Sequence, residues 1–177
     1  LLLKPATKTQ EYLKTVLDAV LADPSQVTGF HVIGVTEKEL GSSVLDRMQR
    51  IAELRLALDG AGIETPIQVF GALDPLSSCL YFISGAEIFD GLTWLRYAYL
   101  DGMCVYRANY GAAFIGLDLR DVLVDVKTMT DNINYLQRLE ASMKRVALDD
   151  DVAHFIHHVD IFRRAFVDLR GRLKGRI

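Results

Sequence analysis

The chain has 177 residues, half of them hydrophobic and 9% aromatic, which is long enough to bury one real core, as a single domain or part of one. A formal net charge of −3 gives no overall pull toward a polyanion, so a nucleic-acid contact would need a local basic patch. Cys79 and Cys104 lie in the apolar contexts SSCLYF and GMCVYR without CxxC spacing, and read as buried thiols of a reducing compartment. LLLKPATK is too short for a signal sequence, and no apolar run approaches the roughly 18 to 20 residues of a membrane span, so a cytoplasmic protein with no membrane contact is expected. The sequence starts at Leu1, not at a methionine, and reads as a piece of a longer chain or a trimmed one.

From Thr9 to Leu21, apolar Tyr12, Leu13, Val16, Leu17, Val20 and Leu21 recur at helical steps, and Asp23-Pro24-Ser25 stops them. Phe30 to Val35 is a short β-branched run that predicts a strand buried on both faces of a parallel sheet. Ser43 to Leu58 returns to helical spacing, with Gly60 and Gly62 as stops. PIQVFGA (66–72) is the second predicted strand, and Asp74-Pro75 opens a helix that runs toward Gly85. AEIFD (86–90) is the third. Strands separated by helices demand a parallel sheet, either a barrel or an open doubly wound one, and both place ligands at the strand ends, here Gly34, Gly71 with Ala72, and Asp90 with Gly91.

Gly91 to Ile115 lacks a clean period and reads as a long loop. Thr130 to Val146 and Asp149 to Leu169 predict two helices, the second started by Asp149-Asp150-Asp151. The division expected is an α/β portion over 1–125 and a helical segment over 126–177.

A carboxylate at a strand end, as Asp90 would be, can act as a nucleophile at a sugar C1′, or it can simply cap the segment that follows. The stretch Gly34-Val35-Thr36-Glu37-Lys38-Glu39 offers amides, a hydroxyl and two carboxylates that suit the edge of a purine-like base, or it is a surface loop that starts the next helix. Trp94, Tyr97, Tyr99 and Tyr106, interleaved with Arg96 and Arg107, form either a stacking and phosphate-contact surface or half-buried rim aromatics. His154, His157 and His158 have helical spacing but no HExxH order and no cysteine partner, so no metal is predicted from them. The basic tail from Arg163 and Arg164 to Arg176 touches phosphates or complements its own helix dipole.

IGVTEKE, PIQVFGALDP and SGAEIFDGLTWLRYAYLDG follow one another in the order and approximate spacing of the second half of the tRNA-guanine transglycosylases, and MTDNINYLQRL is similar to the helix after that family's zinc region. The chain from about Phe30 onward therefore resembles the family, with Gly85-Ala86-Glu87-Ile88-Phe89-Asp90 in the place of its nucleophile segment. The resemblance implies a (β/α)8 TIM barrel that exchanges a guanine in tRNA or DNA for a 7-deazaguanine through a covalent glycosyl-enzyme. It implies Asp90 as the nucleophile, Gly34, Val35 and Glu39 in the base-recognition loop, Gly71 in the glycine-bearing turn of the substrate site, and Arg96 on the nucleic-acid backbone. It also implies a possible homodimer and no cofactor.

Two departures accompany it. The family's C-x-C-x-x-C zinc site has no counterpart between Tyr106 and Thr130, so no zinc is expected, which points to relatives that place 7-deazaguanines in DNA or to noncatalytic paralogues. The half of the barrel that supplies a second aspartate, in a DSGG-type segment, does not occur in this sequence.

Overall fold

A computed structural model describes residues 1–5 and 14–174. Four short parallel strands lie side by side in chain order: β1 (Leu2–Leu3), β2 (Ile33–Thr36), β3 (Ile67–Phe70) and β4 (Ile88–Asp90). Leu2 pairs with Gly34, Gly34 with Gln68 and Gln68 with Ile88; one layer on, Thr36 pairs with Phe70 and Phe70 with Asp90. Successive side chains on a strand point to opposite faces, so this register divides the sheet in two. One face carries Leu3, Ile33, Val35, Ile67 and Val69, each at most 5% exposed. The other carries Leu2, Gly34, Thr36, Gln68, Phe70, Ile88 and Asp90.

Helices α1 (Lys14–Ala22), α2 (Val44–Gly60) and α3 (Pro75–Phe82) follow β1, β2 and β3, and α7 (Val159–Leu173) joins them later. Leu17 and Val20, Ile51, Leu54 and Leu58, Leu80 and Tyr81, then Phe162 and Leu169 pack with the first face into one core. No apolar side chain of the second face belongs to that core. Right-handed crossovers that always step in the same direction throw their helices to one side, and here the strand order never reverses. Gln68 and Phe70 stay half-buried, while Leu2 is 44% and Ile88 36% exposed, on the uncovered side.

The helix starts follow local chemistry. Ser43 and Asp46 form a reciprocal capping box at α2, each side chain accepting the other's backbone N–H at 3.1 Å. Asp74 caps α3 by accepting the Ser77 amide at 3.0 Å, with Pro75 in the first turn.

Three expectations need correction. The expected strand-free loop from Gly91 to Ile115 holds α4 (Thr93–Arg96), an antiparallel hairpin of β5 (Tyr97–Leu100) and β6 (Met103–Tyr106), and α5 (Arg107–Tyr110), with a π turn at Gly111–Ile115. Asp101 and Gly102 form the two-residue turn at φ 48° and 82°, as the Asp-Gly dipeptide favours. The helix read as Thr130 to Val146 is α6, Asp121–Asp149, because its first turns bury Val124 and Thr128 against the hairpin region. The aspartate triplet divides. Asp149 and Asp150 end this helix, with Asp150 left-handed at φ 58° and Asp149 accepting from the Asp151 amide and meeting His154. Asp151 starts the short helical turn Val152–His154 by accepting the Ala153 amide at 2.9 Å, and α7 begins only at Val159. Two further differences are smaller. β1 was not foreseen, and Tyr12 and Leu13 of the first expected helix lie outside the described residues. Among the described residues no helix is long and apolar enough to cross a membrane.

Buried Asn132 ties the hairpin to α6. Its Oδ1 accepts the Tyr99 amide at 2.8 Å, and its Nδ2 donates to the carbonyls of Trp94 and Tyr97, both at 2.7 Å.

Candidate functional site

Asp90 stands at the C-terminal end of β4 on the uncovered face, with its side chain exposed. Its backbone is clamped: Gly71 takes φ +85°, and the successive amides of Gly71 and Ala72 both donate to the Asp90 carbonyl, at 2.7 and 3.1 Å. A left-handed glycine is what lets the β3 end turn so that two adjacent N–H groups converge on one oxygen. The carboxylate itself has no hydrogen bond or ion pair with any described residue. Leu92 occupies the N-cap position of α4 and no side chain caps that helix, so Asp90 does not serve as a cap. Gly71 therefore reaches the site through Asp90's backbone.

Gly34 lies on the same face, two strands away. A Cβ there would sit 2.7 Å from the Phe70 ring and 3.3 Å from Leu2, so the missing side chain is what lets Phe70 lean across the sheet. The Gly34 amide is spent in the β1–β2 ladder, donating to the Leu1 carbonyl at 2.6 Å, and is not free to read a base edge. Val35 points the other way and is 1% exposed in the helix-covered core, so its side chain does not reach the open face.

The two acids after β2 have separate tasks. Glu37 accepts from the buried Tyr81 hydroxyl at 2.8 Å and from Arg47 at 3.1 Å, fastening the loop to α2 and α3. The Tyr81 phenol, together with the Glu37 carboxylate, holds Arg47 above its ordinary value, and burial pushes Tyr81 upward. Glu39 is different. Its Oε2 is shut away from solvent and has no hydrogen-bond partner among the described residues, an unusual state for a carboxylate oxygen.

The aromatic and basic stretch after β4 separates in the same way. Arg96 is exposed at the end of α4 with no partner among the described residues, whereas Arg107 is held by Asp125 and donates to the Leu95 carbonyl. Tyr99 is buried and donates its hydroxyl to the Leu73 carbonyl; Tyr97 and Tyr106 lie with ring centroids 5.8 Å apart, Tyr106 69% exposed. Of this stretch, exposed Arg96 and Tyr106 and half-buried Trp94 and Tyr97 remain available to a polymer.

The histidines do not share a helix face: His154 pairs with Asp149 at 2.6 Å, and His157 and His158 lie in the segment before α7. Among the described residues no group of three or more His, Cys, Asp or Glu could hold a metal ion. Burial pushes Cys104 up to about 12 and Cys79 higher still, so neither thiol offers a thiolate near neutral pH. In the basic tail, Arg172 bonds Asp46 at 2.5 Å and anchors α7 on α2, and Arg176 lies outside the described residues.

The structure thus brings Asp90, Gly71 and Gly34 to one face and leaves Val35 off it. It keeps Thr36, whose hydroxyl the sequence reading had included, and adds Gln68 and Phe70, which that reading passed over. The alternation in PIQVFGA, with a polar Gln68 between two buried aliphatics, was the available signal. Gln68 sits one layer below Phe70 and makes no side-chain hydrogen bond with a described residue. No family model, no curated protein and no solved structure matches the chain.

Proposed function

We propose that this chain forms part of a base-exchange transglycosylase that replaces guanine in a nucleic acid with a 7-deazaguanine, with Asp90 as the nucleophile. The observation that supports it is an exposed carboxylate without a partner among the described residues, at the C-terminal end of a parallel strand, on the sheet face that the helices leave open. In this reading the open face is the inner wall of a (β/α)8 barrel, whose sites lie at the C-terminal strand ends.

An Asp90 oxygen bonds to C1′ of the target nucleoside as the C1′–N9 bond breaks, and guanine departs with the electron pair and takes up a proton. N9 of the incoming base, relieved of its proton, then attacks C1′ and frees the carboxylate, so the sugar configuration is retained. The Glu39 carboxylate is the acceptor for a base N–H, Gln68 supplies an amide on the open face, and Arg96 contacts a backbone phosphate. The partner is tRNA or DNA, no resident cofactor is required, and the setting is cytoplasmic, with two copies pairing as the family resemblance implies.

A second reading, a noncatalytic transglycosylase-like subunit, is favoured by one fact. The sheet residues of the open face include a single carboxylate, Asp90, and protonation of the leaving guanine needs another acid. Incubating the full-length protein with guanine-containing tRNA or duplex DNA and resolving the products under denaturing conditions separates the two. A covalent protein–nucleic acid species that disappears in Asp90→Ala supports the enzyme; no such species with either polymer supports the subunit.

A further inference from the structure

Helix α6 runs for 29 residues, and its first half turns one face to the protein and another to solvent. The inward face carries Val124, Thr128 and Asn132, all buried. The outward face carries Val122, Val126, Met129, Ile133 and Leu136, at alternating steps of four and three residues. That is the period of a coiled-coil seam, roughly 3.5 residues, which another helix ordinarily covers. Val122 is 58%, Val126 59% and Ile133 46% exposed, Met129 and Leu136 are half-buried, and none of the five belongs to the core or packs against it. Farther along the helix, Leu139, Met143 and Val146 do. Phe114, Leu117 and Leu119, in the segment that leads into α6, are exposed as well.

The seam is its own complement. A two-fold axis crossing α6 between Lys127 and Thr128 sets Val122 of one copy opposite Ile133 of the other and Val126 opposite Met129, a smaller side chain against a larger one in each layer. Every charged residue between Val122 and Leu136 is already paired within the chain, Asp125 with Arg107 and Lys127 with Asp131. A strongly acidic or basic partner therefore gains nothing at this face, and a second copy brings no unpaired like charge against itself. The area also suffices. A monomeric protein of 19.8 kDa ordinarily exposes about 8,600 Å², and this chain exposes 10298 Å², a surplus of roughly 1,700 Å². A standard interface covers about 800 Å² of each copy, so the surplus holds one such interface beside the open face of the sheet.

We infer that the α6 face from Val122 to Leu136 is a dimer seam, on which a second copy of this chain pairs antiparallel through the same residues. The inference stands on the exposure and period of α6, and is independent of Asp90 and of the family resemblance.

The test is sedimentation equilibrium of the full-length protein, unsubstituted and with Val126→Arg. A dimer is expected, and the arginine, buried in the pairing without an acid to meet it, should raise its Kd at least about a hundredfold. Leu148→Arg, on the same helix and 86% exposed but beyond the stripe, should leave Kd unchanged. Direction is read by oxidative cross-linking. Val122→Cys and Ile133→Cys together in one chain should join two copies through disulfides, and either substitution alone should not; this arm decides the matter even if Val126→Arg fails to fold. A monomeric full-length protein at micromolar concentration, a dimer indifferent to Val126→Arg, or single variants that cross-link as well as the double one would overturn the inference. Base exchange by such a monomer would leave the catalytic reading standing.

Discussion

The two faces of one small sheet are built to opposite ends. On the helix-covered face, Leu3, Ile33, Val35, Ile67 and Val69 are a uniform aliphatic layer that gives the chain its core. On the open face the same strands carry two exposed aliphatics, Leu2 and Ile88, beside a glycine covered by the Phe70 ring, a threonine, a glutamine and a carboxylate. A parallel sheet ordinarily needs both faces covered, so a strand that alternates core aliphatics with mixed chemistry marks the second face as a place for something other than its own helices. The core lies on one side and the open residues on the other, separated by a single peptide step.

The largest way to break this comparison is at Asp90. Asp90→Asn should lower any base exchange by at least about a thousandfold while leaving unfolding free energy within about 0.5 kcal/mol, because the side chain is exposed and bonds to nothing. Next comes a matched pair of truncations. Ile67→Ala, fully buried, should cost about 2 to 5 kcal/mol in denaturant unfolding, and Ile88→Ala, 36% exposed, no more than about 1 kcal/mol in the 177-residue chain. If a longer protein closes a barrel over the open face, the Ile88→Ala cost there should rise toward that of Ile67→Ala; equal costs in the short chain would mean the face is already covered. Asn132→Ala should cost about 1 to 3 kcal/mol, since it leaves the buried Tyr99 amide without an acceptor, and hydrogen exchange at that amide should quicken.

The smallest effect is at the α2 cap. Arg172, and then the Ser43 and Ser42 side chains, hold the Asp46 carboxyl well below its ordinary 3.8. A depressed carboxylate stabilises the fold above its unfolded value and loses that contribution as pH falls through the folded one. Asp46→Asn should therefore be less stable than the parent near neutral pH, with the gap narrowing only below about 3.8. A gap that is constant across that range would remove the ionic part of this cap.

Much of this architecture was legible. The β-branched runs before Thr36 and Phe70 and the Ser43 and Asp74 caps are local signals, and they placed the central strands and helices to within a few residues. Asp90 and Gly71 were legible as strand-end residues, but Gly71's part in clamping the Asp90 carbonyl depends on register between strands, which a single sequence does not state. The separation of Glu37 from Glu39 depends on Tyr81, 44 positions away from Glu37. The β5–β6 hairpin was legible and passed over: YAYLDGMCVY carries its Asp-Gly turn, but flanking aromatics obscured the alternation. The rule that acids favour helix starts held at Asp151, which caps the turn Val152–His154, but the left-handed break at Asp150 and the later start of α7 at Val159, where Phe155 and Phe162 enter the core, depend on tertiary packing.

The most direct measurement of the central claim is incorporation of labelled guanine into tRNA and into duplex DNA by the full-length protein, beside its Asp90→Asn variant. The account predicts label in one of the two polymers with the unsubstituted protein and essentially none with the variant. Equal incorporation by both proteins would contradict the assignment of Asp90, and none by either would leave the open face as the wall of a noncatalytic subunit.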